Sequence, residues 1–208
     1  MAVQITWIHH ASFRLANGSV IYIDPWKIPS APHDGNIVFV SHTHYDHLSD
    51  VDARKVLAKG GTFVGPAEVI GKLGAGTALA AGQTIELGPV KLTGTPAYNS
   101  AKNFHPQAKG WLGVIVELDG KRIYYAGDSD RIGEMDALSD IDLALLPVGG
   151  TYTMDAAEAA DAVRAFTPKA AMPYHYGDIV GTADDAQRFA SLCPVPVQML
   201  QPGQTITL

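Results

Sequence analysis

Short apolar runs, each stopped by Gly, Pro, Asp or His, recur along the whole chain, and they constrain the fold more than any other feature. They cover Val20 to Ile23, Ile37 to Ser41, Thr62 to Val64, Val90 to Thr93, Val114 to Leu118, Arg122 to Ala126, Leu143 to Leu146, Ala170 to Tyr174 and Val197 to Leu200. Runs of this length, rich in β-branched and aromatic residues, are strands. Helical patterns lie between several of them, at Val51 to Lys59, Ala67 to Leu73, Asp155 to Phe166 and Thr182 to Leu192. The third opens with Asp155 and Glu158 at capping-box spacing and is closed by Pro168. Asp119-Gly120 between two strand runs signals a hairpin, hence antiparallel pairing, while strand-helix alternation elsewhere implies parallel neighbours. The expected class is therefore α/β (α+β), with mixed sheets and helices packed outside. The tetrapeptide Gly-Gln-Thr-Ile at Gly82 to Ile85 returns at Gly203 to Ile206, before a short strand each time, and hints at two similar half-structures.

A chain of 208 residues is long enough for one domain with a substantial core, and residues 1–208 are read as such. Lys plus Arg number 15 against 21 Asp plus Glu, a net charge of -6 that offers no extended field for nucleic acid. The one cysteine, Cys193, excludes an intrachain disulfide and a cysteine-based zinc site. The first residues alternate like a strand and lack the basic start and apolar run of a secretory signal. No stretch approaches a membrane span, so a cytoplasmic protein is expected, with homo-oligomerisation left open.

Directly after the apolar run Ile37 to Val40 comes His42-Thr43-His44-Tyr45-Asp46-His47. Residues two apart leave an extended strand end on one side, so His42 and His44 can reach one ion, while Asp46 and His47 enter the following turn and can face a second. Imidazole and carboxylate suit zinc, manganese, iron or nickel. Asp128 and His175 follow two other strand runs, and together with the cluster they become candidate ligands. The stretch Tyr98 to Gly110 has no period and is expected to be an active-site loop.

The run SHTHYDH, with AGDS at Gly127 to Ser129, PYH at Pro173 to His175 and VIYIDP at Val20 to Pro25, resembles the metallo-β-lactamase superfamily. It is most similar to the branch containing ascorbate-phosphate lactonases and N-acyl-phosphatidylethanolamine phospholipase D. The resemblance implies a four-layer αβ/βα sandwich with two divalent ions, zinc or manganese, at one edge. By position, His42 and His44 would bind the first ion, Asp46 and His47 the second, Asp128 would bridge them and His175 would complete the second. Asp24 would orient a ligand from beneath the metal loop.

The pattern is not met everywhere. Where relatives carry a further strand-end histidine this chain has Tyr98, and His105 in the irregular loop is expected to supply the imidazole instead. Its backbone is restricted to extended conformations by Pro106. His10 is expected behind the ligands or in the core, and His33 in solvent. Lys102, Lys109 and Arg131 border the proposed site and offer a place for an anionic group, and Trp111 an apolar wall. The expected activity is that of a metal-dependent hydrolase on a small molecule. A water between two cations becomes the nucleophile for an ester, lactone or phosphodiester bond. Asp46 and Asp128 would hold it in line, with His105 or Tyr98 as proton donor if not a ligand. The alternatives are a metal-dependent oxidoreductase or a non-catalytic metal-binding protein on the same fold.

Overall fold

The computed structural model describes residues 2–208. A seven-stranded sheet has the order β13-β1-β2-β3-β4-β5-β6, from β1 (Gln4–His9), β2 (Ser12–Asn17), β3 (Ser19–Ile23), β4 (Gly35–Phe39), β5 (Leu57–Gly65), β6 (Thr77–Ala78) and β13 (Thr205–Thr207). A six-stranded sheet has the order β12-β11-β10-β9-β8-β7, from β7 (Thr84–Leu87), β8 (Val90–Pro96), β9 (Leu112–Leu118), β10 (Lys121–Tyr125), β11 (Leu143–Pro147) and β12 (Ala171–Tyr174). Helices α1 (Asp50–Val56) and α2 (Ala67–Leu73) cover the first sheet, and α3 (Ala156–Phe166) and α4 (Ala183–Leu192) cover the second.

Period-two alternation builds the layers. Val114, Val116 and Leu118 of β9 and Ile123 and Tyr125 of β10 face the core between the sheets, whereas Ile115 and Tyr124 face α3 and α4. Ile37 and Phe39 likewise point inward while Val38 and Val40 meet α1 and α2. Each sheet thus buries both faces, which is the expected αβ/βα sandwich of two mixed sheets. Among the described residues no helix is long and apolar enough to cross a membrane.

The repeated tetrapeptide marks equivalent positions. In both copies the glutamine side chain accepts from the backbone N–H three residues earlier, Ala80 at 3.1 Å and Gln201 at 2.8 Å. The two turns feed β7 and β13, which are edge strands pairing antiparallel with β8 and β1. Asp119 and Gly120 have φ of +50° and +74°, the doubly left-handed turn that a two-residue hairpin needs. Two expectations are corrected. Val197 to Leu200 makes one isolated bridge, Val197 to Ala171, because Ala171 N bonds Pro196 and Gln198 N returns to Ala171, leaving no further ladder. The helix expected to Lys59 stops at Val56, where Leu57 turns extended and pairs with Gly35.

Strand direction positions the site. β1 and β3 are both antiparallel to β2, β3 to β5 run parallel, β8 and β10 are both antiparallel to β9, and β10 to β12 run parallel. The residues following β1, β3, β4 and β5 in one sheet, and those following β8, β10, β11 and β12 in the other, therefore emerge at one edge of each sheet, opposite to the ends of β2 and β9.

Candidate metal centre

At that edge the segments after β1, β3, β4, β8, β10 and β12 deliver His10, Asp24, His42 to His47, His105, Asp128 and His175. Beside a smaller set of Asp24, His42 and His47, two four-residue groups of ligand atoms form, His42, His44, His105 and Asp128 in one and His10, Asp46, His47 and His175 in the other, with the atoms of each within 4.8 Å of one another. Asp128 lies between them. Its Oδ2 is 3.2 Å from His105 Nε2, 3.9 Å from His42 Nε2 and 3.1 Å from His175 Nε2, and its Oδ1 is 3.3 Å from His47 Nε2. All the positions expected as ligands are brought together, including His105, which is 1% exposed. The Tyr98 hydroxyl instead donates to Glu134.

The outer ring nitrogens are held unequally. Ser41 Oγ donates to Asp24 Oδ2 at 2.6 Å and lies 2.8 Å from His42 Nδ1. Asn99 Oδ1 accepts from His105 N at 2.9 Å and faces its Nδ1 at 3.1 Å, so Nδ1 carries the proton and Nε2 points into the cluster. Asn99 is itself fixed by donating to Asp130 Oδ1 and to the Tyr152 carbonyl. Asp24 is fully buried, and its Oδ2 meets Ser41 Oγ, Tyr125 OH and His47 Nδ1, the last at 2.7 Å. Its Oδ1 accepts from Ser41 N. A carboxylate so occupied holds the His47 ring in orientation. Gly127 has φ of +66°, and a Cβ there would stand 2.8 Å from the Leu112 carbonyl, so glycine is required just before Asp128.

Burial and neighbouring charge oppose one another throughout. Burial holds His42 well below the ordinary imidazole range and takes His10 down to about 4. It would likewise lower His47 and His175, yet Asp128 reverses this in both, with Asp24 contributing at His47. Burial pushes Asp46 and Asp128 up, and the imidazoles around them more than undo it. Among the described residues, His10 Nε2, His47 Nε2, His105 Nε2, His175 Nε2 and Asp128 Oδ1 are buried with no hydrogen-bond partner. Such atoms are costly unless something fills the space between them. Nitrogen and oxygen donors converging this way fit divalent transition-metal ions.

His10 and Trp111 are both buried, and neither lines the cleft. His10 stands in the second group, its Nε2 3.3 Å from Asp46 Oδ2 and its ring 4.1 Å from that of His175. The His9-His10 pair ending a strand was the available signal. Trp111 packs on His42 and His44 at 4.9 and 4.8 Å and donates to Glu68, a contact across the sequence that no local pattern reveals. Lys102 pairs with Asp130, Lys109 with Glu68 and Arg131 with Asp136.

A cleft of about 260 Å³ opens over the two groups, walled by Tyr45, Phe104, Tyr152 and Ile179. The pattern of the beta-lactamase superfamily domain matches residues 4–175. A UPF0173 metal-dependent hydrolase of Pyrococcus furiosus is 32% identical over 99% of this chain and 100% of its own. The crystal structure of a candidate metal-dependent hydrolase from Parabacteroides distasonis superposes with a TM-score of 0.85 at 32% identity, over 97% of this chain and 94% of that one. That of a metallo hydrolase from Ignicoccus hospitalis gives 0.81 at 28% identity, over 100% and 99%. The chain belongs to the metallo-β-lactamase superfamily and, within it, to the UPF0173 metal-dependent hydrolases.

Proposed function

We propose that this chain hydrolyses an ester, lactone or phosphodiester bond of a small molecule with two divalent ions, zinc or manganese. His42, His44, His105 and Asp128 would hold one, and Asp46, His47, His175 and Asp128 the other, with His10 beside the second. The observation that carries this reading is the convergence of partnerless buried nitrogens from both groups on one carboxylate, Asp128, which lies 3.2 Å from His105 Nε2, 3.1 Å from His175 Nε2 and 3.3 Å from His47 Nε2. Ions bound there would supply Lewis acidity and a water deprotonated near neutral pH.

The chain's own residues do the rest. Asp24 and Asn99 fix the protonated ring nitrogens of His47 and His105, so the opposite nitrogens stay turned to the centre. Asp128 places negative charge between the two groups, and Asp46 adds a second carboxylate on the cleft side. Tyr45, Phe104, Tyr152 and Ile179 shield the substrate from water.

Elemental analysis of protein purified without chelator, followed by hydrolysis assays before and after metal removal and reconstitution, tests the reading. Two equivalents per chain and activity that falls and returns with them are expected. Protein that takes up no metal after reconstitution would overturn it.

A further inference from the structure

We propose that the cleft selects uncharged carboxylic esters or lactones carrying an apolar acyl or aryl substituent, and discriminates against phosphodiesters; this rests on the hydrolase reading above. The walls come from separate segments and carry no formal charge. Tyr45 lies between the candidate ligands His44 and Asp46 and is 67% exposed. Phe104, 45% exposed, directly precedes His105, so neighbouring side chains on one loop serve the rim and the centre. Phe104 meets Tyr152 edge to face at 4.7 Å, and Ile179 closes the side after β12. Exposed aromatic rings around a cleft have apolar surface to bury when a substrate arrives.

The cations that an anionic substrate would use are engaged elsewhere. Lys102 Nζ is 2.6 Å from Asp130 Oδ1 and 3.5 Å from Glu158. Lys109 is 3.5 Å from Glu68 and lies over the Trp111 ring, Arg131 pairs with Asp136, and Lys27 Nζ is 2.6 Å from Asp178. Among the described residues none that lines the cleft is Lys or Arg. Arg and Lys side chains are favoured partners for phosphate oxygens in proteins. Two divalent ions held there would be set against the buried carboxylates Asp24, Asp46 and Asp128, which would offset most of their formal charge.

The test uses metal-loaded protein with 4-nitrophenyl acetate, butyrate and octanoate, and with bis(4-nitrophenyl) phosphate, which has the same leaving group. Each kcat/KM is divided by the rate constant of that compound with hydroxide, removing intrinsic reactivity. The normalised value is expected to rise at least tenfold from acetate to octanoate, the effect of moving only about two of the added methylenes out of water. The phosphodiester is expected to fall below the octanoate. Calorimetric binding of acetohydroxamic and octanohydroxamic acids, which share one metal-binding head and differ only in the length of the apolar tail, reads the walls without turnover. The longer tail is expected to bind at least tenfold tighter, as burial of about two of its added methylenes already gives, and Phe104→Ala or Tyr152→Ala, on separate loops, to remove most of that gain at unchanged metal content. A phosphodiester preferred after normalisation, or tails that do not change affinity, would overturn the proposal while leaving hydrolysis standing. Metal-loaded protein that turns over none of the compounds, yet shows the hydroxamate ladder, would count against the hydrolase reading and support the apolar cleft.

Discussion

The two ligand groups contain the same residue types, three histidines and one aspartate each, yet they are held in place by different means. In the group of His42, His44 and His105, the Ser41 hydroxyl and the Asn99 amide oxygen accept from the Nδ1 atoms of His42 and His105 and orient those two rings, and Trp111 packs against all three. In the group of His10, His47 and His175, only His47 has such a partner, Asp24, while the Nδ1 atoms of His10 and His175 have none among the described residues. Those two rings are aimed by the backbone instead, with φ of +48° at His10 and +61° at His175. Left-handed backbone at a non-glycine residue costs about 1–2 kcal/mol. Side-chain hydrogen bonds preorganise one group, and backbone strain positions the other.

The largest expected effect comes from Asp128, which stands between the groups and faces nitrogens of both. Asp128→Asn should lower hydrolysis about a thousandfold in the assays above while circular dichroism shows a folded chain, because an amide cannot neutralise charge on both sides. Near-normal turnover with full metal would mean that the groups act independently of Asp128.

Next come the orienting partners. Asn99→Ala should weaken one ion about ten- to a hundredfold, measured by competition with a chelating dye, and leave the other within about threefold. Asp24→Asn should weaken both, since Asp24 reaches His47 directly and His42 through Ser41. Equal loss of both ions in Asn99→Ala would break the distinction between the groups.

A smaller effect is expected in the unaltered protein. Stepwise chelation should remove the ion of the His10 and His175 group first, with affinities separated by about tenfold, because fewer outer partners preorganise it. Metal-specific absorption after cobalt substitution would follow the two steps, and a single step would refute the ranking. The smallest effect probes the strain itself. In metal-free protein, His10→Gly should be about 1 kcal/mol more stable to urea than His10→Ala, since glycine adopts positive φ freely. Equal stabilities would show that the backbone there is unstrained.

The sequence alone determined most of the elements and most of the candidate ligands, because both are local signals. Alternation along β9, the caps of α3 and α4, the left-handed Asp119-Gly120 turn and the run His42 to His47 are each decided within a few residues. The edge strand β6 was not legible, since Thr77–Ala78 is too short to show a period. Tertiary structure alone decided which outer ring nitrogens are partnered, that His10 joins a ligand group, and that His105 turns into the centre while Phe104 forms the rim. It also decided that the nearby lysines and Arg131 are spent on carboxylates, which their sequence neighbourhood did not reveal. The physical reason is range. Periodicity and capping act over a turn or a few residues, whereas strand register, loop closure and ion pairing join residues as far apart as Asp24 and Tyr125, where only the folded chain fixes who meets whom.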